Sequence, residues 1–299
     1  MYVEVGPWSD TRAPSDAIVV GYNAKEHSGA ALAWATREAA ADRAPLVVLY
    51  AANYPGMTGP DAPGLFEREP GALEAAEEVT ARGVGEALRM QSILSVFGAT
   101  EVTSPARALT EASRDAALIV LGSRGYGQVL GALLGSVAFN VAAHAECPVV
   151  VVKDEAADRP VGPGHRVVVG TDGSLGAAAA VDFAAARAAV ASAHLEIVTC
   201  TGGHQVEPVD EHELRETAQR TAAAAAAHVR ATHTQLTVST RVEDCPAELT
   251  LIALSADAGM LVVGTRGRGA FEGMLLGSVS HAVIYGASCA VAVVAGVEG

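Results

Sequence analysis

LIVLGSRGYGQVLGALLGS (Leu118–Ser136) and MLVVGTRGRGAFEGMLLGS (Met260–Ser278) carry the same pattern, 142 residues apart. In each, a short aliphatic run ends in Gly-x-x-Gly (Gly122 and Gly125; Gly264 and Gly267), and after nine intervening residues Gly-Ser (Gly135-Ser136; Gly277-Ser278) opens another apolar segment. An aliphatic run without polar alternation predicts a strand buried on both faces, and the glycines mark where it ends and the chain turns. Glycine brings backbone N–H groups close to a ligand, and Gly-Ser at a helix start adds free amides, a hydroxyl and the positive end of the helix dipole. Those are the parts of a phosphate site. Tight turning alone accounts for one or two of the glycines, but not for a Gly-Ser that recurs at a helix start with its spacing kept.

Working outward, apolar runs alternate with segments of helical periodicity. The first half reads as strand Ala17–Gly21, helix Ser28–Asp42, strand Leu46–Ala51, a helix ending near Met90, a strand within Ile93–Glu101, helix Pro105–Arg114, strand Leu118–Leu121, helix Ser136–Ala145 and strand Pro148–Val152. Residues 52–71, rich in Gly and Pro, predict a long surface loop. The second half reads as strand Arg166–Gly170, helix Gly176–Ala191, strand Leu195–Cys200, helix Glu211–Ala231, strand Leu236–Val242, helix Pro246–Ala256, strand Met260–Val263, helix Ser278–Tyr285 and strand Ala290–Val294. Val20-Gly21-Tyr22-Asn23 matches Val169-Gly170-Thr171-Asp172, and Ser104-Pro105-Ala106 matches Cys245-Pro246-Ala247. The repeat is therefore a whole domain, far too long for a solenoid. We expect a tail at residues 1–15, domains at 16–152 and 166–299, and a linker at 153–165 rich in Asp, Pro and Gly. The fold class is α/β: two tandem five-stranded parallel sheets with helices on both faces, in the Rossmann-like manner. Ligands of such sheets bind beyond the carboxyl ends of the strands, where the strand order reverses; here the ends of strands one and four carry the unusual residues.

Composition narrows the function. A net charge of -14 over 299 residues opposes general nucleic-acid affinity. The start Met-Tyr-Val-Glu-Val lacks a basic segment followed by an apolar core, and no apolar run reaches membrane-spanning length, so the expectation is a cytoplasmic protein without a membrane partner. Two lysines (Lys25, Lys153) accompany eighteen arginines among an abundance of Ala, which reads as coding bias. The four cysteines form no C-x-x-C pair and read as small buried hydrophobes, not as zinc ligands or a disulfide framework.

The Walker A pattern is absent. Gly125-Tyr-Gly127-Gln-Val-Leu-Gly131 and Gly267-Arg-Gly269-Ala-Phe-Glu-Gly273 each miss the dinucleotide fingerprint by one residue, and they follow the fourth strand, not the first. No G-x-S-x-G elbow appears. Asp172 is either an acceptor for a ribose hydroxyl, a holder of metal riding on phosphates, or an Asx turn or helix cap. Asn23 keeps the hydrogen bonding without the charge. Arg124, Arg266 and Arg268 are loop arginines that either flank phosphates or are solvated, and His144 and His281 read as surface or packing residues.

With these residues in view, the chain resembles a tandem universal stress protein of the ATP-binding branch. The resemblance rests on Val169-Gly-Thr-Asp-Gly-Ser174, on the paired G-2x-G-9x-G-[ST] stretches, and on the closing segments from Gly135 and Gly277; it spans nearly everything from Ala17 to Val294. It implies a fold similar to the adenine nucleotide alpha hydrolase-like superfamily, with adenine near the ends of strands one and two and phosphates on the glycine loop. By that resemblance Asp172, Gly264, Gly267, Gly277 and Ser278 bind nucleotide in one half, and Gly122, Gly125, Gly135 and Ser136 in the other. Asn23 is the counterpart of Asp172, and Ala51 and Cys200 face adenine through their backbone. Mg would enter with the phosphates at Asp172. Two departures stand out: Asn23-Ala24 replaces the usual Asp-Gly, and Cys289-Ala290 the usual Cys-Pro. Pairing through the last strand implies an internal pseudo-dimer, with a homodimer of chains beyond it. The expected function is an ATP-binding regulator of stress response or dormancy with slow hydrolysis at most and a regulatory protein partner. The alternatives are a nucleotide-independent scaffold or an enzyme of adenylyl or phosphoryl transfer.

Overall fold

The structure, a computed structural model, describes residues 5–6, 8, 16–52, 71–123, 135–202, 210–267 and 274–296. The chain folds as two compact units, Met1–Asp154 and Glu155–Gly299. The first contains β1 (Val5–Gly6), β2 (Ile18–Gly21), α1 (Glu26–Asp42), β3 (Leu46–Ala51), α2 (Ala72–Met90), β4 (Val96–Glu101), α3 (Pro105–Ala112), β5 (Leu118–Gly122), α4 (Ser136–His144) and β6 (Val149–Val152). Its strands lie in the order β1-β4-β3-β2-β5-β6, with each neighbouring pair parallel. The second contains β7 (Arg166–Gly170), α5 (Leu175–Val190), β8 (Leu195–Gly202), α6 (Glu211–Thr232), β9 (Val238–Pro246), α7 (Ala247–Leu254), β10 (Ala258–Gly264), α8 (Ser278–Gly286) and β11 (Ala290–Val294). Its order is β9-β8-β7-β10-β11, again parallel.

The aliphatic runs explain the sheets. Ile18, Val19 and Val20, and likewise Val167, Val168 and Val169, are at most 1% exposed, because helices cover both faces. Helices α1 and α2 pack on one face of the first sheet and α3 and α4 on the other, and α5 with α6 and α7 with α8 repeat the arrangement. Helix starts follow local chemistry. Ser104 precedes Pro105 and accepts the N–H of Arg107 at 3.4 Å, and Ser174 accepts that of Ala177 at 3.2 Å. The winding reverses between β2 and β5 in the first unit and between β7 and β10 in the second. That is where the crevice opens.

Some elements differ from the sequence expectation. Val5–Gly6, within the segment expected to be a tail, adds to the edge strand β4, and the Trp8 N–H donates to Glu101 Oε1 at 2.6 Å. The edge of β4 offers unpaired backbone groups, and two residues suffice to take them. The segment read as a linker holds a short 3-10 turn (Asp154–Ala156), a fully buried Ala156, and a Gly162–His165 bridge. Gly259 is in contact there: a Cβ on it would stand 2.9 Å from Val161 Cα. Strand β9 runs on past Val242 to Pro246, with Pro246 ending the strand and α7 starting one residue later. The expected loop at 52–71 lies almost wholly outside the described residues. No helix among the described residues is long and apolar enough to cross a membrane.

Candidate functional site

In the second unit, β7 ends at Gly170 and the chain turns through Thr171-Asp172-Gly173-Ser174 into α5. Asp172 Oδ1 accepts the Ser174 N–H at 2.9 Å, and Gly173 takes the left-handed φ of 78° that this turn requires. The Asx-turn reading of Asp172 thus holds and uses one carboxylate oxygen. The other, Oδ2, lies where the fourth strand's loop passes: a Cβ on Gly267 would be 2.5 Å from it. Strand β10 ends at Gly264, whose backbone rests on the first turn of α5, so that a Cβ would stand 2.9 Å from the carbonyl carbon and oxygen of Gly176. Further on, the Gly277 N–H donates to the Thr265 carbonyl at 2.8 Å and starts α8, and Ser280 Oγ donates to the Gly264 carbonyl at 2.6 Å. No side chain caps α8 at Gly277, which leaves its first amides to water or a ligand. These segments enclose a cavity of about 360 Å³ with an apolar floor of Val198, Ala247, Leu251 and Val263.

The first unit repeats the arrangement with changes. Asn23 Oδ1 accepts the Lys25 N–H at 3.1 Å, the same turn as at Asp172, but Ala24 takes the φ of 58° where Gly173 stood. Ser28 Oγ accepts the Asn23 N–H at 3.2 Å and donates to the Lys25 carbonyl at 2.8 Å. A Cβ on Gly122 would be 2.4 Å from the His27 carbonyl oxygen. The Gly135 N–H donates to the Ser123 carbonyl at 2.8 Å and opens α4, again without a side-chain cap. The cavity here is about 440 Å³. Tyr22 hydrogen-bonds Glu86 Oε2 at 2.9 Å from its hydroxyl; burial, and then that carboxylate, push its phenol up to about 12.

The structure brings Asp172, Cys200, Gly264, Gly267, Gly277 and Ser278 together around the second cavity, with Arg266 on its wall. It brings Asn23, Ala51, Gly122, Gly135 and Ser136 together around the first. Gly125, Arg124 and Arg268 lie outside the described residues. Gly122 and Gly264 have a packing reason of their own, the close approach of strand to helix. The Cys200 thiol is held above the ordinary thiol range, chiefly by burial, which suits a neutral wall residue and not a nucleophile. Cys147 and Cys289 are buried as expected, whereas Cys245, on the edge strand β9, is exposed. His144 binds the Asn140 carbonyl at 2.8 Å and His281 packs on the Tyr285 ring, centroids 4.8 Å apart. Sequence reasoning missed the third helix of each unit as a wall: Pro105 and Leu109 in one, Ala247 and Leu251 in the other. The matching Ser-Pro-Ala and Cys-Pro-Ala at those helix starts was the signal. Among the described residues no group of three or more His, Cys, Asp or Glu could hold a metal ion.

Comparison with known proteins places this arrangement. The model of the universal stress protein family matches twice in tandem, over residues 15–153 and 164–295. A universal stress protein of Mycobacterium tuberculosis is 33% identical over 286 residues, covering 90% of this chain and 94% of the relative. One of Mycolicibacterium smegmatis is 33% identical over 291 residues, covering 93% and 96%. Among solved structures, a universal stress protein from Archaeoglobus fulgidus superposes with a TM-score of 0.69 at 21% identity, covering 94% of this chain and 98% of its own, which shows the shared fold. With two matched domains, close relatives along nearly its whole length and this architecture, the chain belongs to the universal stress protein family.

Proposed function

We propose that each unit binds an adenine nucleotide, ATP foremost, and that the chain is a cytoplasmic regulator of stress response or dormancy whose occupancy is read by a protein partner. The observation that carries this is the convergence, in the second unit, of Gly267, the second carboxylate oxygen of Asp172 and the uncapped Gly277-Ser278 helix start on one cavity with an apolar floor. Such a cavity has two ends of different chemistry. The floor of Val198, Ala247 and Leu251 suits a flat base, while backbone amides at a helix start suit phosphate. Its volume of about 360 Å³ falls in the range of roughly 300–1,000 Å³ usual for small-molecule sites. Asp172 Oδ2 would take a ribose hydroxyl or a cation carried on the phosphates. Bound nucleotide would supply charge and ordering energy; we assign binding, with hydrolysis slow at most. Differential scanning calorimetry of nucleotide-stripped protein tests this. ATP at a hundred times Kd should stabilise the fold by about 2.7 kcal/mol and so raise the unfolding midpoint, and Gly267→Ala should reduce the effect by displacing Asp172. Absence of protection in the native protein would refute the reading.

A second reading, a scaffold that works without nucleotide, is favoured by one observation: Gly122 and Gly264 are required by strand–helix packing whether or not a ligand binds. It predicts the same fold with no ATP protection.

A further inference from the structure

The two cavities are built alike at the end where the first strand turns. Asp172 and Asn23 each accept the N–H two residues on, at 2.9 and 3.1 Å. A serine ties down the same turn in each unit: Ser174 Oγ accepts the Ala177 N–H and Ser28 Oγ the Asn23 N–H, both at 3.2 Å. The difference lies at the opposite end, where the fourth strand stops and the next helix begins. Gly264 and Gly122 end β10 and β5, and α8 and α4 start at Ser278 and Ser136 without a side-chain cap. The third residue of α8 is Ser280, whereas the third of α4, at the same place in the repeat, is Ala138. Both are buried, and both line their cavities.

Ser280 has one hydroxyl proton and uses it across the strand–helix junction. Its Oγ donates to the Gly264 carbonyl at 2.6 Å, with the Thr265 carbonyl a second acceptor at 3.2 Å. The Thr265 carbonyl also accepts the Gly277 N–H at 2.8 Å, and the first bond within α8, from the His281 N–H to the Gly277 carbonyl, is 2.9 Å. In the first unit the Gly135 N–H bond to the Ser123 carbonyl recurs at 2.8 Å. The Ala138 methyl group, however, has nothing to donate, and the first bond of α4, from Phe139 to Gly135, is 3.2 Å. A carbonyl oxygen is an acceptor, as phosphate is, and carries charge of the same sign. Held by a hydroxyl, it does not turn toward a phosphate at the same helix start. The uncapped amides of α8 then need no rearrangement to receive one, and a site that is ordered beforehand loses less on binding.

Resting on the nucleotide-binding reading above, we propose that Ser280 is a positioning residue for the phosphate end of the second cavity, and that its replacement by Ala138 makes the first cavity the weaker of the two. Ser280 acts through the Gly264 and Thr265 carbonyls and the start of α8, not by touching the base end, where Val198, Ala247 and Leu251 lie. The same nucleotide therefore fills the second unit first, and the preference resides in its phosphates.

Equilibrium dialysis of the nucleotide-stripped full chain against labelled ATP, with adenosine as a competitor that lacks phosphate, tests this. Native protein should show a tighter and a weaker ATP site. Ser280→Ala should weaken the tighter site by about three- to tenfold, the usual net size of one hydrogen bond, and leave competition by adenosine unchanged; a cavity that had only loosened would weaken both. Ala138→Ser should tighten the weaker site by a similar factor, a gain that no folding defect imitates, and the matching turn of α8 already accommodates serine. A single class of site in the native chain, adenosine weakened along with ATP in Ser280→Ala, or an Ala138→Ser protein without tighter ATP binding would overturn the role of Ser280 while leaving nucleotide binding in place. No ATP bound by any of the three proteins would overturn both.

Discussion

Replacing Gly122 by Ala separates what the glycines do for the fold from what they do for a ligand. The new methyl group would stand 2.4 Å from the carbonyl oxygen of His27 and 2.9 Å from its carbonyl carbon. Both atoms belong to the backbone in the first turn of α1, which is also tied by the His27–Asp154 pair at 2.5 Å. The helix must therefore shift as a body. Overpacking against an unyielding neighbour costs about 2–3 kcal/mol. The lower chain entropy of unfolded Ala offsets about 0.4–1 kcal/mol of that. A net loss of about 2 kcal/mol corresponds to a fall in Tm of about 4–8 °C for a unit of this size. Gly264→Ala, 2.9 Å from Gly176 backbone atoms, should behave alike and somewhat more mildly. Gly267→Ala is the control, because its methyl group meets only the end of the Asp172 side chain at 2.5 Å, which can swing away. Its stability should stay within about 0.5 kcal/mol of native, while nucleotide affinity of the second unit falls. The assay is thermal and urea unfolding of nucleotide-stripped protein followed by circular dichroism. If Gly122→Ala melts with the native chain, or Gly267→Ala melts as early as Gly122→Ala, the packing argument is wrong.

Ala24→Gly should stabilise the first unit by about 0.5–1 kcal/mol, since Ala at φ 58° bears the left-handed penalty of roughly 1–2 kcal/mol, less the entropy of unfolded Gly; a urea midpoint that does not rise would count against it. Glu196, 6% exposed, accepts from Arg166 Nε at 2.7 Å and Arg241 Nε at 2.6 Å. Its replacement by Ala should cost about 1–3 kcal/mol, less than for a fully buried pair because both arginines keep solvent contact. Tyr22 gives a pH dependence. Its phenol is pushed up to about 12 from 10.0, so the folded state favours the protonated form, and the stability it contributes is full below pH 10 and lost as pH rises toward about 12. Tyr22→Phe should flatten that part of the alkaline unfolding profile; an unchanged profile would show that Tyr22 is not its source. Thiol labelling at mild alkaline pH should modify exposed Cys245 first and leave Cys147, whose burial pushes its thiol up to about 12, unmodified until the unit unfolds.

The strands were legible because a parallel sheet covered on both faces demands continuous aliphatic runs, and Val167–Val169 or Leu118–Leu121 leave little else to read. The turn at Asp172 was legible because Asp-Gly states its own backbone geometry, whereas Ala24 hides the same geometry behind a residue that ordinarily avoids it. Strand β1 was hidden because two residues show no periodicity, and its register comes from the free edge of β4. The segment after Asp154 looked like a linker because its composition is polar, yet a single buried Ala156 and the contact at Gly259 suffice to order it. The cavity walls from α3 and α7 were missed because Leu109 and Leu251 look like ordinary core positions; only topology turns them toward the crevice.

The most direct test of nucleotide binding is to denature protein purified in magnesium without added nucleotide, identify what it releases by mass spectrometry, and count adenine nucleotide per chain. The account predicts an adenine nucleotide, approaching two per chain, with any empty cavity filled on titration with ATP. A chain that releases none, and takes up no ATP either with magnesium or without it, would contradict the account and leave the fold as a scaffold.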